Sequence, residues 1–174
     1  MSAGSNELVY IGLGANLDQP QQQIEEALRR IALVPGASLR AASAMYRSGP
    51  WGRQDQPDFI NAIAAVDTML SPFSLIEQLL KIERDMGRVR DDARWGPRRI
   101  DLDVILIGQR TLSTTAITLP HPHYRERAFV LLPLLELGSR LSDDRSEEWR
   151  LALSKLTHDD VVRLPPESEV HFSV

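Results

Sequence analysis

The 174-residue chain has no cysteine, which excludes disulfide scaffolds, thiolate nucleophiles and cysteine-ligated zinc. Histidine is nearly as scarce. Only His121, His123, His158 and His171 are present, so a multi-histidine metal site would consume almost all of them. Lysine is confined to Lys81 and Lys155, against eighteen arginines. No apolar run approaches the ~18 residues needed to cross a bilayer. The opening MSAGSNELVY lacks a basic segment followed by an apolar one, so it does not read as a secretory signal. A cytoplasmic protein with no membrane association is the expectation. A G-x-x-x-x-G-K-[ST] loop is absent, and the G-x-G of Gly12 and Gly14 lacks its third glycine. P-loop and Rossmann modes of nucleotide binding are therefore unsupported.

What is present is an ordinary globular balance. Apolar residues make up 43% and charged residues 25%, which speaks against disorder, coiled coil and collagen. The length fits one domain, residues 1–174, able to bury a sizeable core. No internal repeat or low-complexity tract interrupts it. The arginine excess has two readings: genomic base composition, or recognition of anions by the planar guanidinium fork. Composition does not choose between them; position does.

Apolar periodicity predicts the elements. A short strand spans 8–13. A helix follows, with Asp18 at the N-cap position, Gln21 three residues on as in a capping box, and Pro35-Gly36 as its stop. Strands are expected at 38–46 and 59–68, separated by a long Gly/Pro-rich loop, RSGPWGRQDQPD. Ser71-Pro72 begins a second helix that Gly87 ends. A further strand is expected at 100–107 and a β-rich piece at 116–119. A helix is expected from about residue 125, shifted or interrupted by Pro133, and a short one at 149–156. The last ten residues look irregular. The order β-α-β-β-α-β plus a C-terminal extension is the ferredoxin-like α+β pattern: an antiparallel sheet with helices on one face.

The strongest chemical signal is R-W-G-P-R-R-I-D-L-D over residues 94–103. Residues i and i+2 of a strand share a face, so Asp101 and Asp103 project together from an otherwise apolar strand. Buried carboxylates need a compensating cation, and hard oxygen ligands suit Mg²⁺ with phosphate oxygens and water. The bland alternative is a frayed, solvated strand end. Residues 84–99 hold six arginines and three aspartates, a local charge of +3, leaving −7 for the rest of a chain of net charge −4. Arginines beside a carboxylate pair match a polyphosphate–Mg²⁺ site. Trp95 either stacks on a base or anchors the loop.

A second group spans 49–62. Phe59 and Asn61 share a strand face, and an aromatic beside an amide suits a flat heterocycle, one stacking and the other reading its edge. Core packing for Phe59 and loop capping by Asn61 is the competing view. A third group is P-H-P-H-Y-R-E-R-A-F at 120–129. His121 and His123 lack a third ligand nearby, so phosphate contact by His121, Arg125 and Arg127 is the better reading. Phe129 reads on periodicity as core.

Taken with Y-I-G-L-G-A-N-L (10–17), Y-R-S-G-P-W-G (46–52), Q-D-Q-P-D-F-I-N-A (54–62), I-E-R-D-M-G-R-V-R (82–90) and P-H-P-H-Y-R-E-R-A-F-V-L-L-P-L (120–134), these segments resemble the hydroxymethyldihydropterin pyrophosphokinases of folate biosynthesis. The resemblance covers roughly residues 8–137. It implies a ferredoxin-like α+β fold and transfer of pyrophosphate from ATP to the 6-hydroxymethyl group of a dihydropterin, releasing AMP. It implies that Asp101 and Asp103 bind two Mg²⁺ ions and that Phe59 and Phe129 sandwich the pterin. Asn61 would read the pterin edge, with Ser48 and Trp51 contacting it from the loop. Glu83, Arg90, Arg94, Trp95, His121 and Arg127 would serve ATP, and Arg88 and Arg98 the catalytic centre. Phe59, Ser48 and Trp51 depart from commoner Tyr, Thr and a smaller apolar residue, and Leu80 replaces a Gln that can contact adenine. The tail beyond about 138 is expected only to pack, and the protein to act as a monomer. The rivals are a ferredoxin-like nucleic-acid-binding module, which lacks the RNP aromatic motif here, and an inactive paralogue.

Overall fold

The structure is a computed structural model and describes residues 5–88 and 96–166. The first strand, β1 (Glu7–Ala15), is longer than the apolar run alone predicts. Its alternation sends Val9, Ile11, Leu13 and Ala15 into one core and Tyr10 into another. Gly12 and Gly14 fall on the Tyr10 side. Helix α1 (Pro20–Ala32) buries Ile24, Ala27 and Ile31. The expected capping box does not form. Gln19, with φ 60°, stands at the N-cap and makes no side-chain cap. The Asp18 carboxylate is drawn instead to Arg99, at 2.7 Å.

The expected strand at 38–46 is two strands, β2 (Ala37–Ala42) and β3 (Tyr46–Ser48). Both pair antiparallel with β4 (Phe59–Thr68), whose bounds match the expectation. The chain breaks because side chains take up hydrogen-bonding groups between them. The Ser43 hydroxyl accepts from the Ile63 N–H, and Glu136 accepts from the Ala44 N–H and the Tyr46 hydroxyl. Helix α2 (Pro72–Asp85) starts as predicted: the Ser71 hydroxyl accepts from the Ser74 N–H at 3.1 Å. Gly87 ends it with φ +84°, a conformation that suits glycine.

β5 (Asp101–Ile107) follows, then a small hairpin of β6 (Leu112–Ser113) and β7 (Thr118–Leu119). A 3₁₀ turn at Tyr124–Glu126 precedes α3 (Ala128–Leu141), so that helix begins three residues later than expected and runs through Pro133. α4 (Ser146–Ser154) buries Trp149, and β8 (Val162–Arg163), not expected from sequence, pairs with β3.

The main sheet has the order β5-β1-β4-β3-β8, with β2 also on β4, and its strand pairs are antiparallel. Apolar side chains of α1 and α2 pack on one face. The two helices of the β-α-β-β-α-β pattern thus share one face, as expected, and the C-terminal extension takes up the other. Helices α3 and α4 cover part of the other, with Leu131, Leu134, Leu137 and Trp149 against Tyr10, Ile63, Ala65 and Ile105. A sheet apolar on both faces cannot leave the second to water.

A polar clasp holds α4 there. The Trp149 ring meets Tyr10 edge-on at 5.7 Å, and the Arg145 guanidinium lies 5.6 and 5.4 Å from the two rings. Asp143 accepts from Arg145 and from the Tyr10 hydroxyl, both at 2.7 Å. Burial pushes the Asp143 carboxyl up, but the hydrogen bonds from Arg145 outweigh it and hold the group at about 2. A folded pKa depressed from 3.8 gives stability that is complete above the ordinary value and lost as pH falls through it toward 2. Asp143→Asn therefore costs about 2 kcal/mol at pH 7. In urea denaturation across a pH series, the gap to wild type should narrow below pH 4 and nearly close by about pH 2.

Candidate active site

The helices on the second face stop short of one end of the sheet. There a cavity of about 370 Å³ opens over β1, β4 and β5. Strand register explains its floor. Gly14 of the central strand pairs with Asn61 on one side and with Asp101 on the other, and Gly12 pairs with Ile63 and Asp103. At about 4.8 Å per strand, the amide of β4 and the carboxylates of β5 stand roughly 10 Å apart. The two glycines leave the ground between them bare. A Cβ at Gly14 would touch the Asn61 Oδ1 at 3.4 Å. These glycines were legible only as the end of a strand. Their use as a floor depends on register.

Ten of the residues singled out from the sequence line this one cavity: Ser48, Trp51, Phe59, Asn61, Arg98, Asp101, Asp103, His121, Arg127 and Phe129. Glu83 and Arg88 stand behind the wall. Arg90, Arg94 and Trp95 lie outside the described residues. Arg125, considered for phosphate contact, pairs instead with Glu148 and lies over the Tyr124 ring.

The acidic half is a network. Arg98 donates to one oxygen of Asp101 at 2.7 Å and Arg88 to the other at 2.9 Å. Arg88 also pairs with Glu83 at 2.6 Å, and the second Glu83 oxygen accepts from the Leu102 N–H at 2.7 Å. That amide lies between the two aspartates, so Glu83 fixes the strand that presents them. Glu83 is buried, and burial raises its pKa against the pull of the Leu102 amide and Arg88. Asp103 is pushed up to about 7, first by burial and then by the charges of Asp101 and Glu83. Among the described residues, Arg88 and Arg98 pair with Glu83 and Asp101, and the charge of Arg127 is felt by Asp103 and Asp101. The raised proton affinity of buried Asp103, with the hard oxygen donors of Asp101 and Asp103 on one strand face, is the environment a divalent cation such as Mg²⁺ fits.

The other half is aromatic and amide. Asn61 is buried and donates to the Ser48 hydroxyl at 2.9 Å, which fixes the orientation of its carboxamide. Phe59 and Phe129 come from β4 and α3 and flank the same space. Trp51, half exposed on the loop after β3, meets Phe129 at 6.4 Å. The Arg127 guanidinium lies 5.3 Å from the Trp51 ring and 5.9 Å from Phe129. Burial lowers the Arg127 pKa, while the charges of Asp103 and Asp101 oppose it. His121 falls to about 4, through burial and then the Arg127 charge, so at neutral pH it is an uncharged hydrogen-bonding group.

Residues 10–139 match the family model for 7,8-dihydro-6-hydroxymethylpterin-pyrophosphokinase. Among curated relatives, the 2-amino-4-hydroxy-6-hydroxymethyldihydropteridine pyrophosphokinase of Pseudomonas aeruginosa is 47% identical over 159 residues, 90% of this chain and 96% of that one. The same enzyme from Haemophilus influenzae is 38% identical over 157 residues, covering 90% and 98%. Solved structures agree in fold. A crystal structure of an HPPK-DHPS in complex with substrates superposes with a TM-score of 0.63 at 12% identity. It covers 91% of this chain and 47% of its own, so the present chain spans about half of that protein. The wild-type Plasmodium falciparum HPPK-DHPS with pterin and p-hydroxybenzoate gives 0.60 at 12% identity. The chain is accordingly a transferase, of the class that moves a phosphorus-containing group between two substrates. It belongs to the 7,8-dihydro-6-hydroxymethylpterin-pyrophosphokinase family.

Ser48→Ala strands the Asn61 Nδ2 donor in a buried place and should cost about 1–3 kcal/mol, read as a shift of the urea midpoint.

Proposed function

We propose that this protein transfers the pyrophosphoryl group of ATP to the hydroxymethyl oxygen of 6-hydroxymethyl-7,8-dihydropterin, giving the pterin diphosphate and AMP in folate biosynthesis. One observation supports this above the others. A carboxylate pair with arginines and an amide–aromatic slot share one cavity, roughly 10 Å apart across a bare glycine floor. That is the spacing of one small bridging group between a flat ring and a polyphosphate.

In this reading the pterin stacks between Phe59 and Phe129, with Trp51 over it and Asn61, held by Ser48, reading its polar edge. Asn61 rejects rings lacking the matching donors and acceptors, because a buried amide left unpaired is costly. Arg88 and Arg98 serve the catalytic phosphates, and Glu83, Arg90, Arg94, Trp95, His121 and Arg127 serve the nucleotide. Asp101 and Asp103 would hold two Mg²⁺ ions. When bound, Mg²⁺ supplies charge neutralisation at the attacking and leaving oxygens of an in-line displacement. A bound cation would offset the burial and repulsion that raise the proton affinity of Asp103, and Arg88 and Arg98 hold Asp101 beside it. Most of the acceleration then lies in positioning and preorganised charge.

The strand order, with the chain's outer strand β5 beside β1 and β1 beside β4, supports the ferredoxin-like description of the sheet. We further infer a single catalytic domain over residues 1–174, working as a cytoplasmic monomer. No helix among the described residues is long and apolar enough to cross a membrane.

The decisive assay is AMP release from Mg-ATP with hydroxymethyldihydropterin. Wild type should turn over. Asp101→Ala and Asp103→Ala should each lose at least about a hundredfold in kcat. Near-normal turnover of either variant at saturating Mg²⁺ would refute the metal assignment. Tight single-stranded RNA binding without pterin binding would favour the nucleic-acid module.

A further inference from the structure

Asn16 lies just beyond the end of β1 and is buried, 4% exposed. It does not line the cavity, yet it is bonded to both of the segments that do. Its backbone N–H donates to the Arg98 carbonyl at 3.0 Å, and its side-chain Oδ1 accepts from the Arg98 N–H at 2.8 Å. These two bonds close a ring that fixes the backbone of Arg98, whose guanidinium holds Asp101. From the same carboxamide, Nδ2 donates to the Pro57 carbonyl at 3.0 Å and to Gln56 Oε1 at 3.1 Å. Pro57 is two residues ahead of Phe59 and four ahead of Asn61 on the strand they begin.

One side chain therefore ties the root of the arginine-bearing segment to the root of the loop 49–58. Its acceptor faces one and its donors face the other. An amide is the side chain that can do both at once. Aspartate offers acceptors alone, and an aliphatic residue offers neither. Arg98 and Pro57 are forty-one residues apart in the chain, and no strand pairing links them directly.

We propose that Asn16 is a positioning residue for group transfer: it sets the distance between the half of the site that holds phosphate and the half that holds the flat ring. The proposal rests on the pyrophosphokinase reading above. Each half also has bonds that do not involve Asn16, from Arg88 to Asp101 and Glu83 on one side and from Asn61 to Ser48 on the other. Loss of the tie should leave each ligand's own binding nearly intact and spoil the alignment of one with the other. Misplacement of reacting groups by about an ångström costs on the order of a hundredfold in rate. The effect then falls on kcat and spares the two dissociation constants.

The test compares wild type, Asn16→Asp and Asn16→Ala. Asn16→Asp is nearly isosteric and keeps the acceptor for the Arg98 N–H while losing the donors to Pro57 and Gln56, and it carries the test even if Asn16→Ala does not fold. Calorimetry measures binding of hydroxymethylpterin and of a non-hydrolysable ATP analogue with Mg²⁺, each alone. Single-turnover AMP release measures the chemical step. For Asn16→Asp we expect about a ten- to hundredfold fall in the chemical step with each dissociation constant within about threefold of wild type. A chemical step at the wild-type rate overturns the proposal, and so does a loss fully matched by weaker binding of either ligand. If wild type itself releases no AMP, the pyrophosphokinase reading has failed instead, and the two failures are thereby distinct.

Discussion

Two like charges on one face of an otherwise apolar strand are the constraint around which this protein is arranged. Asp101 and Asp103 stand on β5, and Glu83 adds a third carboxylate from behind. Arg88 and Arg98 pair with Glu83 and Asp101, while burial and then the charges of Asp101 and Glu83 drive the proton affinity of Asp103 upward. The charged strand is held along one edge by its pairing with β1, and it has one further fastening. Glu83 supplies it by accepting from the Leu102 amide midway between the two aspartates. Helix α2 thus does more than cover the sheet, because its last turn carries the residue that immobilises the charged strand.

The second consequence concerns the far face of the sheet. Helices α1 and α2 seal one side. Covering the other fell to α3 and α4, and their incomplete coverage makes the cavity. The C-terminal extension is therefore part of how the site exists. Its α4 segment is seated by Asp143, Arg145, Tyr10 and Trp149, and Gly138 has no side chain because a Cβ there would come within 2.8 Å of the Trp149 ring. Helix α3 carries Phe129 at one end and Glu136 further along, where it breaks the strand that leads to Ser48.

The arginine excess now divides. Arg29, Arg30, Arg53, Arg110 and Arg150 form exposed pairs of the kind that contribute little to stability. Arg88, Arg98 and Arg127 differ: two are bound to the acidic network and the third sits between aromatic rings and the carboxylates. A net charge of −4 masks this local arrangement.

Much of this was legible in the chain itself. The period-two alternation of β4 and β5 placed Phe59 with Asn61, and Asp101 with Asp103, on shared faces. The period of α2 and its Ser71-Pro72 start held in the structure. Those features follow from backbone geometry and neighbours a few residues away. What was not legible depends on partners far along the chain. The capping role read for Asp18 lost to Arg99, eighty-one residues on, and the strand at 38–46 was broken by Glu136. Asn16 showed no local signal beyond its motif, since its partners at 56, 57 and 98 meet only in the folded chain. The proton affinity of Asp103 likewise depends on burial and on Glu83. Sequence alone determined which side chains could share a face, because alternation is local. Tertiary structure decided which faces met and which charges were buried together, because burial and long-range hydrogen bonds arise only when distant segments pack together.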